Sequence, residues 1–134
     1  MSDFILVDTD VISYIFRRDS RGANYEDHLV GKLKAIAIQT FAELTLMPLL
    51  NSWSEKRKAK LDNFLEDYIV VVADAKIGRE WAALRFEAIR KGRPISTADA
   101  WIAATALAYS IPLVTHNYKD FKNVAGLTVV TKTE

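Results

Sequence analysis

Short apolar runs alternate along this chain with stretches in which apolar residues recur every three to four positions. Phe4-Ile5-Leu6-Val7 is continuous and apolar, as a strand buried on both faces must be. Val11, Ile12, Ile15 and Phe16 then follow at helical spacing. Arg21-Gly22-Ala23-Asn24 reads as a loop, with a short, weakly patterned helix over residues 25–33. Ala35-Ile36-Ala37-Ile38 predicts a second strand, and Thr40 opens a helix that Pro48 bends or ends. Residues 54–67 read as a polar helix that turns Leu61, Phe64 and Leu65 inward, and Tyr68-Ile69-Val70-Val71-Val72 as a third strand. Asp74 suits the N-cap of the next helix, whose stripe is Ile77, Trp81, Leu84, Ala88 and Ile89 and whose stop is Gly92 and Pro94. An alanine-rich helix over residues 98–109 can approach a neighbour closely. Ile111-Pro112-Leu113-Val114 and Leu127-Thr128-Val129-Val130 complete five strands.

Strands alternating with helices predict an α/β fold, a doubly wound parallel sheet with helices on both faces. The 134 residues suit one domain spanning residues 1–134. Half the residues are hydrophobic, enough for a core without staples. The absence of cysteine excludes a disulfide framework, a thiolate metal site and a cysteine nucleophile, and fits a reducing cytoplasm. No stretch is long and apolar enough to span a membrane, and Met1-Ser2-Asp3 lacks the basic flank of a signal peptide. The formal net charge of +1 announces no nucleic-acid binder, so any such function must be local. Lys56-Arg57-Lys58-Ala59-Lys60 is the one dense basic run, a pattern that a solvated helix face also produces.

In a doubly wound sheet the site lies beyond the carboxyl ends of the strands, which directs attention to the acids there. Asp8 and Asp10 follow the first strand, Glu43 lies in the first turn after the second, Asp99 opens the helix before the fourth, and Asn117 and Asp120 follow the fourth. Carboxylates gathered at one edge repel one another unless a cation lies between them, and an all-oxygen set suits Mg²⁺ or Mn²⁺. Each acid also has a plain reading. Thr40-Phe41-Ala42-Glu43 and Ser96-Thr97-Ala98-Asp99 are both capping-box patterns. Asp8 or Asp10 can cap the first helix, and Asp120 can be a turn acid. His28 and His116 are too far apart to suggest a metal pair. Trp53, Trp81 and Trp101 read as core or partner contacts. Serine-nucleophile and phosphate-loop signatures are absent.

Taken in order, these segments resemble a PIN domain of the kind found in VapC-type toxins of toxin–antitoxin pairs. Leu6-Val7-Asp8-Thr9-Asp10-Val11-Ile12 resembles the family's opening strand and first acid, and Thr40-Phe41-Ala42-Glu43-Leu44 its second. The stretch from Ile95 to Ala104 around Asp99, the most specific, resembles its third. Leu113 to Phe121, followed by Gly126-Leu127-Thr128-Val129-Val130, resembles its ending. The resemblance implies strand order 3-2-1-4-5, a site binding one or two Mg²⁺ or Mn²⁺, cleavage of single-stranded RNA loops, a small antitoxin that covers the site, and a homodimer. It assigns Asp8, Glu43, Asp99 and Asp120 as catalytic metal ligands, with Asp10, Thr115 and Asn117 in support. Two departures stand out: Asp10 occupies a position often held by asparagine, and the fourth acid falls at either Asn117 or Asp120, with Asp120 favoured for its charge.

In that mechanism the metal activates a water for in-line attack on phosphorus, and Lys91 and Arg93, in the loop before Asp99, hold RNA phosphates or simply end a solvated helix. A second enzyme reading takes Asp8-Thr9-Asp10-Val11 as the start of a haloacid-dehalogenase-type phosphatase, with Asp8 as nucleophile. That family needs a longer chain and a later lysine with paired acids. A third reading is a PIN module that binds RNA or protein without cutting. Phe41, Leu44, Met47, Leu49, Leu50 and Trp53 exceed what one short helix side contributes to a core, which leaves apolar surface for a partner or for internal packing.

Overall fold

The computed structural model describes residues 3–132; the first and last two residues, and the readings that extend to them, lie outside that range. Five strands form one sheet in the order β3-β2-β1-β4-β5, and every neighbouring pair is parallel. They are β1 (Phe4–Val7), β2 (Leu33–Ala37), β3 (Ile69–Val71), β4 (Leu113–Val114) and β5 (Val129–Val130). Strand alternation divides the core. Ile5, Val7 and Ile36 pack on one face with Val11, Ile12, Tyr25, Leu44 and Leu61. Leu6, Ala35 and Ala37 pack on the other with Ile102, Ala103 and Ala106. Alanine meets alanine on that second face, and the absence of longer side chains lets the helix lie close to the sheet.

The helices on the first face are α1 (Thr9–Phe16), α2 (Ser20–Leu29) and α4 (Glu55–Leu65); α6 (Thr97–Ala108) covers the second, with α5 (Ala75–Arg90) packed outside it. α3 (Ile38–Leu50) and the short α7 (Tyr118–Phe121) complete the described residues. Asp74 caps α5 by accepting from Ile77 N at 2.9 Å, as its position predicts. Gly92 ends that helix with φ 65°, a left-handed turn that favours glycine.

Several boundaries differ from the sequence reading. Arg21-Gly22-Ala23-Asn24 is not a loop: these residues lie inside α2, which starts and ends earlier than the helix expected over residues 25–33. Asp19 caps it through Arg21 N at 2.9 Å and pairs with the Arg21 guanidinium at 2.7 Å. Gly22 marks a close helix crossing instead, since a Cβ there would stand 2.7 Å from the backbone nitrogen of Ile15. α3 begins at Ile38, directly off β2, so Ile38 is helical and Thr40 caps nothing. Pro48 does not end α3, which continues to Leu50. β5 is shorter than the four-residue run expected, because only Val129 and Val130 find partners on β4.

Candidate functional site

Asp8 stands where the order of the sheet reverses, between β1 and β4. It is the N-cap of α1, its Oδ1 accepting from Thr9 N at 2.7 Å. Oδ2 accepts from the Thr115 hydroxyl at 2.7 Å, so one carboxylate ties the end of β1 to the end of β4. Thr115 is itself fully buried and receives Asn117 N on its hydroxyl at 3.0 Å. Only 4% of Asp8 is exposed. That burial, reinforced by the charges of Asp10 and Asp99 against the hydrogen bonds from Thr115 and Thr9, pushes its carboxyl up to about 7.

Asp10, the second residue of α1, accepts from Val11 N at 2.7 Å and from His116 N at 3.1 Å. It is not the cap. Burial raises its pKa against those hydrogen bonds and the charge of His116. Asp99 sits in the first turn of α6, where Ser96 is the cap, its Oγ accepting from Asp99 N at 3.1 Å. The pKa of Asp99 is also raised, by burial first and then, against its bond with Ser96, by the charges of Asp120 and Glu43. Five carboxylates from four segments of chain thus share one electrostatic neighbourhood.

Glu43 enters through a link that the sequence pattern misassigned. The Thr9 hydroxyl donates to its Oε1 at 2.6 Å, and the buried Thr40 hydroxyl lies 3.1 Å from that of Thr9. The Thr40 to Glu43 capping box is therefore overturned: α3 begins two residues too early, and both side chains face α1. Asp120, in α7, and Asn117, which precedes it, are exposed, and Asn117 makes no side-chain capping bond.

Asp99 and Asp120 line a groove of about 520 Å³ with Lys91, Arg93 and Lys119. Lys91 reaches Glu87 at 3.5 Å; among the described residues Arg93 has no ion pair. Among those residues no three acidic or histidine side chains converge as a ready-made metal site. The donors are nonetheless all hard oxygens, and burial raises the pKa of Asp8, Asp10 and Asp99, with neighbouring carboxylates adding to the rise at Asp8 and Asp99, which is the chemistry Mg²⁺ and Mn²⁺ fit.

Two contributors had no signal in the sequence. Tyr25, fully buried on α2, places its hydroxyl 2.7 Å from His116 Nδ1 and accepts from Lys132 N at 3.0 Å. It fastens both the loop after β4 and the segment after β5. Thr9 is hidden between two acids that draw more attention. The tryptophans are packing residues: Trp81 stacks on Trp101 at 5.0 Å and Trp53 on Phe16 at 6.0 Å.

Comparison with known proteins agrees with this arrangement. Residues 5–127 match the PIN domain. Ribonuclease VapC2 of Rickettsia felis is 33% identical over 126 residues, covering 91% of this chain and 92% of that protein. The tRNA(fMet)-specific endonuclease VapC of Shigella flexneri is 25% identical over 122 residues, with 91% and 92% covered. The structure of VapBC2 from Rickettsia felis bound to a DNA fragment from its promoter superposes with TM-score 0.87 at 26% identity, covering 97% of this chain and 99% of that one. That of FitAcB from Neisseria gonorrhoeae gives 0.81 at 29% identity, with 95% and 96% covered. With its order 3-2-1-4-5, its acids at the sheet's switch point and these relatives, the chain belongs to the PIN domain family, among the VapC ribonucleases.

Proposed function

We propose that this protein is a metal-dependent endoribonuclease, the toxin of a toxin–antitoxin pair, which hydrolyses phosphodiester bonds in cytoplasmic RNA. The observation that carries this reading is the gathering of buried and half-buried acids at the switch point, where the pKa of Asp8 is raised by burial and by the charges of Asp10 and Asp99, and that of Asp99 by burial and by the charges of Asp120 and Glu43. Such a cluster is costly unless a cation uses it. Asp8, Glu43 and Asp99 would hold the ion, with Asp120 assisting. A bound Mg²⁺ or Mn²⁺ supplies charge stabilisation and an acidified water for attack on phosphorus.

The chain's own residues do the positioning. Thr115 and Thr9 N hold the Asp8 carboxylate in one orientation, and the Thr9 hydroxyl orients Glu43. His116 N and Val11 N fix Asp10. Asn117, tied through its backbone to Thr115, supports the site as a neutral group, and Lys91 and Arg93 hold substrate phosphates along the groove they line.

The VapBC and FitAB structures similar to this chain are complexes, which supports a small antitoxin as partner. Of the apolar residues expected to await a partner, Leu44 is buried and Phe41, Met47 and Trp53 are half-buried, while Leu49 and Leu50 are exposed. With Leu46 on α3 and Phe86 and Ile89 on α5 they offer apolar surface for a homodimer or the antitoxin. Among the described residues no helix is long and apolar enough to cross a membrane. The PIN match decides against the phosphatase reading.

Mapping cuts in RNA with Mg²⁺ or Mn²⁺ supplied, and again after chelation, tests the proposal. Cleavage that needs the ion and is lost in Asp8→Asn is expected. Metal-independent cleavage overturns the mechanism, and RNA binding without cleavage under any ion makes the chain a non-catalytic module.

A further inference from the structure

The basic run of residues 56–60 has no part in the acid site, and the fold gives it company. At the far end of α1, Arg17 and Arg18 face α4 across a groove of about 1070 Å³ that Lys56, Arg57 and Lys60 also line. No acid lines it. The exposed acids of α4 lie elsewhere on that helix: Glu55 pairs with Lys58 at 3.3 Å, and Asp62 continues the same side by helical spacing, as does Glu66 at the C-cap. Among the described residues none of the five groove cations forms an ion pair with a carboxylate. The floor is aromatic and firm, with Phe16 stacked on Trp53 and set edge-on to Phe64 at 5.5 Å. The Arg57 guanidinium lies 3.7 Å over the Trp53 ring, which holds one cation in place. Arg18 has φ 57°, a left-handed backbone where glycine or asparagine is the ordinary choice.

We infer that this groove is a second RNA-binding site, a sequence-independent phosphate track that holds substrate RNA beyond the point of cleavage. The inference rests on the ribonuclease reading above. A site built from five carboxylates repels the phosphates it must cut, and a net charge of +1 gives no general attraction. Binding energy must therefore come from a local concentration of cations. The eight residues of α1 connect the two places. At helical rise they span about 12 Å, which is about four nucleotides along one strand. Five unpaired charges on an open groove suit a continuous polyanion better than a folded protein, which offers few carboxylates in a row.

The test is fluorescence anisotropy with a labelled RNA hairpin in EDTA, so that binding is read without cleavage. The variant Arg17→Gln/Lys56→Gln/Lys60→Gln is compared with Lys32→Gln/Lys58→Gln/Arg79→Gln, which loses the same charge elsewhere. The first is expected to bind about tenfold more weakly and to lower the salt dependence of log K by about two, while the second stays near wild type. Arg18→Gly is a second variant that relieves the backbone, so it is expected to melt at or near the wild-type temperature and still bind RNA more weakly. Equal weakening in both triple variants overturns the site in favour of bulk charge. Wild-type RNA binding by the groove triple, together with loss of co-purification with the antitoxin, makes the groove a protein-docking surface and overturns it too. If wild type neither binds nor cuts RNA, the ribonuclease reading itself fails; if wild type cuts and the groove triple binds normally, only the groove fails.

Discussion

The two ends of α1 make opposite use of charge. At its N-terminus Asp8 is nearly sealed from solvent, bonded on both oxygens and pushed up to about 7. At its C-terminus Arg17 and Arg18 are exposed and form no ion pair among the described residues. The helix dipole favours both placements, acids at the start and cations at the end, so α1 tolerates them together. The difference separates two tasks. Chemistry needs groups fixed in geometry and tuned by burial, even though burial opposes their charge. Long-range attraction needs charges in water, free to meet a mobile polyanion.

The largest effect expected is on the acid end. Asp8→Asn should lower single-turnover RNA cleavage by about two orders of magnitude or more, while the fold survives. Unimpaired cleavage would move the chemistry away from this end. The same variant sharpens the electrostatic side. The folded chain holds Asp8 at about 7 against an ordinary 3.8, so between those values the folded state binds more proton than the unfolded one. Its contribution to stability therefore falls as pH rises through that window. Denaturant melts across the window should show a shallower decline in Asp8→Asn than in wild type; identical slopes would remove burial and crowding as the cause.

Asp99→Asn comes next. Ser96 supplies the cap and asparagine keeps the shape, so thermal stability should hold or rise slightly while cleavage falls severely. Ser96→Ala should do the reverse, costing about 1 kcal/mol with chemistry largely kept. If Asp99→Asn cuts at the wild-type rate, the Asp99 carboxylate has no part in the chemistry.

Divalent ions offer a gentler comparison. Excess Mg²⁺ or Mn²⁺ should raise the melting temperature of wild type relative to chelator, because only the folded chain gathers the acids. The shift should shrink in Asp8→Asn and persist in Arg18→Gly. The smallest effect concerns the brace behind the site. Tyr25→Phe deprives His116 Nδ1 and Lys132 N of a partner, at a cost of about 1 kcal/mol, and should reduce cleavage less than any acid substitution.

Strand positions and the parallel α/β class were legible in the chain because each rests on local patterning, whereas the order 3-2-1-4-5 and the choice of acids came from resemblance to the PIN family. A four-residue apolar run reads as a buried strand wherever it occurs, and an acid directly after it stands out. Asp74 and Ser96 were legible as caps for the same reason: the donor is three residues away. Where the pattern misled, the deciding partner was distant. Gly22 looked like loop punctuation but answers to the backbone of Ile15 on another helix. Thr40 looked like a cap but meets Thr9, thirty-one residues earlier.

What the sequence alone determined, then, was which groups are available and which short segments carry them, since propensity, burial pattern and capping act over a turn of helix or one strand. Tertiary structure alone decided which groups meet. The bond from Thr115 to Asp8 spans 107 positions, and the contact of Tyr25 with His116 spans 91. Arg17 and Arg18 join Lys56, Arg57 and Lys60 only because α1 packs beside α4. Hydrogen bonds and charges act over a few ångströms of space, and chain order does not specify those distances until the sheet has set its register.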